Sequence, residues 1–156
     1  MKRPKIVSIA VSTNKGTRKT PVKEGRLVPG HGLEGDGHAG DWHRQVSFLA
    51  QESIAKARDQ GLDVTFGDFA ENIATTGIDW KALPIGTRVK IGDAALVEIT
   101  QIGKVCHKPC AIFYQAGDCI FPREGVFARV LKGGTIRVGN GLRLETAGEE
   151  TSADNV

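Results

Sequence analysis

The sequence predicts a mainly β domain with a barrel-like arrangement of short strands and one or two helices. Apolar residues recur at every second position in several short segments, and turn residues separate these segments. Glycine contributes 20 of the 156 residues, well above the usual ~7%. Residues 52–60 are the best helix candidate, because they carry apolar side chains at helical spacing and Gly61 follows as a stop signal. Many short strands joined by turns are typical of barrel-like β domains.

The first half of the chain contains three predicted strands and a further short candidate strand at residues 72–75. The three strands cover residues 5–12, 22–29 and 45–50. Alternation places Val7, Ile9 and Val11 on one side of the first strand, and Val46 and Phe48 on one face of the third. Between the second and third strands lies a segment with five glycines in eleven residues, 30–40. This composition predicts a long exposed loop, and long loops in compact domains are often functional.

The second half contains two predicted hairpins. Residues 87–91 and 94–101 form the clearest one, with Ala95, Val97 and Ile99 on one face of the second strand. The other hairpin is expected from residues 135–138 and 142–145. The Gly-Asn-Gly turn at 139–141 separates its strands. Between the hairpins, residues 126–131 are expected to form one or two helical turns.

Length and composition predict a single soluble domain. Hydrophobic residues make up 40% and charged residues 25% of the chain, so we expect residues 1–146 to form one domain and the polar tail, 147–156, to be disordered. The net charge of +3 is too small to predict nucleic-acid binding. No apolar stretch approaches the ~18–20 residues that span a bilayer, and no signal peptide is evident. A cytoplasmic location is therefore expected.

The densest group of reactive side chains lies in residues 103–110. Lys104, His107 and Lys108 all lie within six residues of Cys110. Nearby positive charge favours the thiolate, which attacks electrophilic sulfur, carries a persulfide or binds a soft metal. The simpler alternative is that Cys106 and Cys110 are small buried apolar residues.

A structural zinc site is a second alternative for the cysteines, because zinc takes tetrahedral sets of nitrogen and sulfur ligands. The spacing Cys-x3-Cys without a second matched pair is a weak signal for it. The available ligands are Cys106, His107, Cys110, Cys119, His38 and His43.

The glycine-rich loop is the second group with chemical potential. Its backbone N–H groups can approach anionic oxygens closely, and Arg44 adds a planar guanidinium suited to phosphate. His38 is able to exchange protons near neutral pH. The loop lacks the Gly-Lys-Ser/Thr of phosphate-binding loops and the dinucleotide fingerprint, so no nucleotide motif is present. The alternative is a mobile turn with solvated histidines.

In family order, several motifs resemble the MOSC domain, named for the C-terminal domain of eukaryotic molybdenum cofactor sulfurases. The similarity covers about residues 5–145 and is closest to small bacterial stand-alone members. The motifs that carry it are Gly35-Asp36-x-His38-x-Gly40, Arg44-Gln45-Val46-Ser47, the segment FGDFAENI at 66–73, the stretches 85–92 and 95–101, and Pro109-Cys110.

This resemblance implies a MOSC-type (pyruvate-kinase-like) β-barrel with a few flanking helices. It also implies binding of molybdenum cofactor (molybdopterin), centred on Cys110. In the family the cysteine carries sulfur or, in reductases of N-hydroxylated compounds, ligates molybdenum; Cys106 is a weaker candidate ligand. His38 would act with Cys110 in catalysis. The expected cofactor-binding residues are Gly35, Asp36, Gly37, Arg44, Glu71, Asn72, Lys108 and Arg123.

The resemblance also bears on partners. Relatives are associated with pyridoxal phosphate through an aminotransferase domain, and neither that domain nor a redox domain is evident in this sequence. A complete reaction would therefore need a sulfur donor, a molybdoenzyme or a redox partner protein. The sequence leaves open whether the domain forms a homodimer, and it does not indicate the roles of Cys106 and Cys119.

Overall fold

The computed structural model describes residues 3–12, 19–37, 39–59, 61, 66, 71–102 and 125–145. These residues are mainly β, as predicted. The elements are β1 (Lys5–Val11), β2 (Thr20–Val22), β3 (Glu24–Val28), β4 (Gly32–Leu33), β5 (Val46–Ala50), α1 (Gln51–Asp59), β6 (Ile73–Thr76), a 3-10 turn (Trp80–Ala82), β7 (Arg88–Ile91), β8 (Ala95–Ile102), β9 (Val126–Lys132), β10 (Gly134–Arg137) and β11 (Leu142–Leu144).

The strands form one large and one small sheet. The large sheet has eight strands in the order β11-β7-β8-β9-β5-β6-β1-β2, and the small one has the order β10-β3-β4. The large sheet is not closed into a continuous barrel. Strand β1 approaches the β11 end of the sheet at an isolated bridge between Lys5 and Gly141, the residue before β11. The C-terminal half of β1 pairs with β2 instead, with Ile9 opposite Val22, so only the first residues of β1 reach the opposite end of the sheet.

The main core lies on one face of the large sheet. It contains the predicted inward residues of β5 and β8, among them Val46, Phe48 and Val97, which confirms their predicted alternation. Phe48 packs on Trp80 with ring centroids 4.6 Å apart. The indole Nε1 of Trp80 donates to the hydroxyl of Thr75 at 2.8 Å, so its polar atom is satisfied inside the core.

Helix α1 covers the other face of the sheet with a second, smaller core. Ile54 and Ala57 on the helix pack with Leu49, Ala74 and Phe127 on three neighbouring strands. Gly61, with φ +96°, donates its N–H to the carbonyl of Arg58 at 2.9 Å; it thus adopts the left-handed conformation expected after a helix. At nine residues, α1 is far too short to cross a bilayer. The described part of the chain contains no helix that is long and apolar enough to do so.

Strand β1 departs from the alternation predicted for it. Its register with β6 shifts between Ile6 and Ser8, which is the signature of a β-bulge. Ile6 and Ile9 both enter the main core, whereas Val7 packs on the second core. The extra residue changes the parity of the strand, so simple alternation assigned Val7 to the wrong face.

Residues 126–131 form strand β9, not the helical turns that the sequence suggested. Val126, Ala128 and Val130 enter the main core, and Phe127 faces the second one. Strand β9 pairs with β8 on one side and β5 on the other. A short apolar run that is buried on both faces does not show the polar–apolar alternation by which a strand is recognised.

The predicted C-terminal hairpin is also wrong, although both of its strands exist. Strand β10 pairs with β3, placing Ile136 opposite Gly25, while β11 pairs with β7, placing Leu142 opposite Ile91. The Gly-Asn-Gly turn therefore carries the chain from the small sheet to the large one. Local turn residues predict a reversal, but they do not determine which strands then pair.

Candidate functional site

A buried ion pair holds the turn that precedes position 38. Lys19 Nζ lies 2.8 Å from Asp36 Oδ1, and both side chains are fully buried. The same carboxylate oxygen accepts the backbone N–H of Ser12 at 3.0 Å, and Lys19 also reaches the Ser12 hydroxyl at 3.4 Å. The Lys19 side chain is thus held in the protein's interior. Asp36 ties the glycine-rich loop to the end of β1.

Asn72 joins the same network from the start of β6. Its Oδ1 accepts the backbone N–H of Ser47 at 3.0 Å, and its Nδ2 donates to the carbonyl of Ala10 at 3.2 Å. The Ser47 hydroxyl accepts the Asn72 backbone N–H at 2.9 Å, and Asn72 also hydrogen-bonds to Asp36. One side chain therefore connects β1, β5 and the Asp36 turn. Asp36 and Asn72, two of the expected cofactor-binding residues, therefore hold the glycine-rich loop against the strands from the interior of the protein.

Several opposing influences act on the pKa of Asp36. Burial alone would raise the pKa, but hydrogen bonds from Lys19, Ser12 and Asn72, together with the Lys19 charge, outweigh burial and hold the pKa below its ordinary value of 3.8. The carboxylate form is therefore the form that the folded protein prefers.

This lowered pKa predicts acid sensitivity. The unfolded chain binds the proton of Asp36 at higher pH than the folded chain does. The lowered pKa of Asp36 therefore stabilises the folded protein fully at pH values above an ordinary carboxyl pKa. This stabilisation is lost as the pH falls from about 4 through the lowered pKa. Unfolding in urea between about pH 6 and pH 2 measures it. We expect the stability difference between wild type and Asp36→Asn to shrink as the pH falls. A difference that is constant over this range would contradict the assignment.

Backbone hydrogen bonds fix the loop on both sides of position 38. Gly37 donates its N–H to the carbonyl of Ser12 at 2.6 Å, and Ala39 donates to the carbonyl of Asp36 at 3.2 Å. Gly35 has φ +84°, which explains the need for glycine there. His38 itself lies outside the described residues. Its two neighbours are nevertheless anchored to the same network that holds Asp36.

The guanidinium of Arg44 lies over two aromatic rings. Its guanidinium carbon lies 4.5 Å from the centroid of Trp42 and 5.5 Å from that of Phe127, a cation–π arrangement that restricts the side chain. Its Nε is buried and has no hydrogen-bond partner within the described part of the chain. A buried N–H of this kind costs free energy unless an acceptor is supplied. Arg44 is thus a preoriented cation with an unused donor.

The loop reaches the end of β8 through His43. Its Nε2 lies 2.8 Å from Oε1 of Gln101, and its carbonyl accepts a hydrogen bond from the Thr100 hydroxyl. Ile102, the last residue of β8, lies opposite Val126, the first residue of β9. The end of β8 and the start of β9 therefore lie beside the glycine-rich loop, and Cys110 falls between these two strands in the sequence.

The remaining predicted site residues divide into two groups. Gly35, Gly37 and Glu71 are described, and Glu71 is buried two residues before β6 with only 1% of its surface exposed. His38, Cys106, Lys108, Cys110, Cys119 and Arg123 lie outside the described residues. Within the described part of the chain, no three potential metal ligands come together. The proposed zinc set, with the exception of His43, consists of residues outside that part.

Sequence reasoning missed several residues that build this site. Lys19, Ser47 and Gln101 contact its predicted members, but they are 17 to 58 positions away from them in sequence. No local motif predicts such pairs. The available signal was that Ser47 and Gln101 fall within two of the family-motif stretches, 44–47 and 95–101, whereas Lys19 lies in none of them.

The strands and the braced loop define a small, mainly β protein with a glycine-rich loop beside the ends of β8 and β9. Residues 35–143 match the family model of the MOSC domain. The chain therefore belongs to the MOSC domain family, as the motifs predicted.

Solved structures share the fold at low sequence identity. YuaD from Bacillus subtilis superposes with a TM-score of 0.75 at 17% identity, covering 90% of this chain and 94% of that protein. YiiM from Geobacillus stearothermophilus gives 0.68 at 23% identity, covering 94% and 78%. YiiM from Escherichia coli gives 0.63 at 22% identity, covering 91% and 70%. No curated protein matches the chain.

Proposed function

We propose that this MOSC domain binds molybdenum cofactor, or its precursor, and uses Cys110 to hold sulfur or to ligate molybdenum. The observation that carries the proposal is Arg44, a cation that lies against Trp42 and Phe127 and whose buried Nε has no hydrogen-bond acceptor among the described residues. An anionic ligand oxygen would supply the missing acceptor. Family membership supports the cofactor class.

The described residues fit an anionic pterin cofactor. The cofactor's phosphate requires planar donors and close backbone approach, which Arg44 and the glycines at 35 and 37 offer. When bound, molybdenum cofactor supplies a redox-active metal with sulfur ligands. The protein's contribution is to place a cation and a turn of fixed shape beside it. Lys108 and Arg123 would add further positive charge.

The buried network has the role of fixing the loop's shape. Asp36 and Asn72 hold the turn around position 38 to strands β1 and β5. A histidine on a turn anchored on both sides can hold or donate a proton at a defined place without losing much conformational freedom. His38 would thus protonate a leaving group or a ligand oxygen, while Asp36 and Asn72 act as positioning residues.

Cys110 would carry the sulfur chemistry. Its thiolate attacks the outer sulfur of a donor persulfide, so that a new S–S bond forms on Cys110. The donor's own S–S bond breaks, and the donor leaves as a thiolate that takes up a proton. The step needs no external oxidant, because the sulfur is already at the required oxidation level. Cations around Cys110 would keep it in the thiolate form.

The proposal predicts that Cys110→Ala abolishes sulfur loading while the fold survives. Wild-type and variant proteins are treated with a persulfide donor, and intact mass is measured under non-reducing conditions. We expect one added sulfur atom on the wild type and none on Cys110→Ala. Cys119→Ala is the matched control and should load normally. Normal loading of Cys110→Ala, with unchanged retention of pterin, would contradict the proposal.

The same preparations separate the alternatives. Turnover of an N-hydroxylated substrate with cofactor and an electron donor would identify molybdenum ligation, instead of sulfur carriage, as the role of Cys110. Stoichiometric zinc without pterin in the purified protein would contradict both roles. Elemental analysis and pterin fluorescence measure these outcomes directly.

A further inference from the structure

A second concave region lies beside the first residue of helix α1. It is a groove of about 540 Å³, and its lining residues are Arg3, Lys5, Val7, Gln51 and Thr76. None of these residues belongs to the site described above. Lys5 begins strand β1 and Ser12 follows its last residue, so about 20 Å of extended chain separates the groove from the point where Asp36 is anchored.

The groove lies on the face of the large sheet that α1 covers. Lys5 is directly opposite Thr76 in the pairing of β1 with β6, and directly opposed residues project from the same face of a sheet. The Thr76 hydroxyl donates to Oε2 of Glu52 in α1 at 2.8 Å, which identifies that face as the helix side. Val7 packs on the second core on the same side. Two strands and the start of α1 therefore form one concavity.

The charge that lines the groove is entirely positive. Among the described lining residues, Arg3 and Lys5 are the charged ones, and both are exposed. The nearest carboxylate along the chain is Glu52, but its Oε2 accepts hydrogen bonds from the Thr76 hydroxyl and from the N–H of Gly77. Glu52 lines a neighbouring groove together with Gly77. No acidic side chain of the described part of the chain thus balances the two cations inside the concavity.

Exposure alone does not explain why these two cations have no carboxylate partner. Arg129 and Arg137 are also exposed strand residues, with 53% and 67% of their side-chain surface accessible, and each forms an ion pair with a glutamate. Neither Arg3 nor Lys5 forms an ion pair or a side-chain hydrogen bond with another residue that the structure describes. Their Cα atoms are about 6–7 Å apart in extended chain, so both side chains can reach one anionic group.

We propose that this groove binds a small phosphate monoester, with the phosphate group between Arg3 and Lys5. The guanidinium offers a planar donor fork and the ammonium a point charge, a combination suited to phosphate oxygens. A phosphate monoester carries nearly two negative charges at neutral pH, which matches two cations, whereas a carboxylate carries one. Val7 and the Gln51 amide would contact the organic part. The volume falls within the ~300–1,000 Å³ range of small-ligand pockets.

A small ligand fits the groove better than a nucleic acid or a membrane surface. The two cations lie in a concavity bounded by α1 and two strands, and they do not extend into a basic stripe along the sheet. The net charge of the whole chain is only +3, which gives little long-range attraction for a large polyanion. The proposal is independent of the function proposed for Cys110.

The test is a titration of the full chain with butyl phosphate at pH 8, where the ester is a dianion because its second pKa is about 6. We expect saturable binding by calorimetry with a Kd on the order of 1 mM or below. Arg3→Gln and Lys5→Gln should each weaken binding about tenfold, because each variant loses a charge-assisted contact with the phosphate. Lys5→Arg should retain binding. Both positions are exposed, so the Tm of each variant should stay close to that of the wild type.

Controls on the ligand and on the protein make the result decisive. Butyl sulfate has the shape of butyl phosphate but a single negative charge, and inorganic phosphate lacks the organic part, so both should bind more weakly. Lys132→Gln removes an exposed cation at the end of β9, where it faces Leu96, and should bind butyl phosphate like the wild type. Equal weakening by Lys132→Gln and Lys5→Gln would show a general effect of charge. That outcome, equal affinity for butyl phosphate and either control ligand, or saturable binding of anionic lipid vesicles but not of butyl phosphate, would overturn the proposal.

Discussion

Lys19→Met is expected to lower the free energy of unfolding by about 3–5 kcal/mol, the range found when one partner of a buried ion pair is removed. The side chains of Lys19 and Asp36 are both fully buried, so the substitution leaves a carboxylate in the interior without its cation. Methionine has similar length and keeps most of the apolar contacts of the lysine stem. The loss therefore reports the charge and not a cavity. Urea unfolding near pH 7 measures it.

A double variant distinguishes the ion pair from simple packing. Adding Asp36→Asn to Lys19→Met removes the stranded charge but keeps an oxygen that accepts the Ser12 N–H. We expect the double variant to recover a substantial part of the lost stability. Lys23→Met is the matched control, because Lys23 is exposed between β2 and β3. This substitution should change the free energy of unfolding by less than about 0.5 kcal/mol. The ion-pair account fails if Lys19→Met resembles Lys23→Met, or if the double variant is less stable than the single one.

The fold class was predictable because it depends on local patterns that repeat. The alternating residues of β5 and β8 identified their inward faces, and the helical spacing of 52–60 identified α1. The errors came from non-local pairing. Strand β9 lies between β5 and β8 and is buried on both faces of the sheet, so it lacks polar–apolar alternation. Strand β11 pairs with β7 and not with its sequence neighbour β10. Neither circumstance is visible in a window of ten residues.

The site was predictable in its members but not in its connections. Asp36, Arg44 and Asn72 were identified from the family motifs and the glycine-rich composition. The structure shows how differently they act: Asp36 and Asn72 face the interior, whereas Arg44 lies over aromatic rings with a buried donor that has no acceptor among the described residues. Burial and partner geometry decide such roles, and both arise from contacts between residues that are distant in sequence.

Asn72→Ala is expected to be similarly destabilising, at about 3–5 kcal/mol. It leaves two buried backbone groups without partners, the N–H of Ser47 and the carbonyl of Ala10, each costing about 1–3 kcal/mol. Asn140→Ala is the matched control. The Asn140 side chain also accepts a backbone N–H, that of Arg137 at 2.8 Å, but at an exposed bond, so water can replace it at a cost of about 1 kcal/mol or less. Equal losses in the two variants would contradict the role given to burial.

Asn72→Asp separates hydrogen bonding from side-chain volume. The introduced carboxyl keeps the acceptor for Ser47 but turns a negative oxygen toward the carbonyl of Ala10, in a network that already holds the Asp36 carboxylate. Burial and like charge should raise the pKa of this carboxyl in the folded state, so the folded protein binds its proton more tightly than the unfolded chain does. The stability deficit relative to wild type is then largest near pH 7 and shrinks as the pH falls through the raised pKa. Urea unfolding from about pH 8 to pH 4 measures this slope. The stability difference between wild type and Asn72→Asp shrinks as the pH falls, as does the difference between wild type and Asp36→Asn. The first difference begins to shrink at a higher pH, because the pKa of the introduced carboxyl is raised whereas the pKa of Asp36 is lowered. A deficit that does not vary with pH would show that Asn72 contributes through its shape alone.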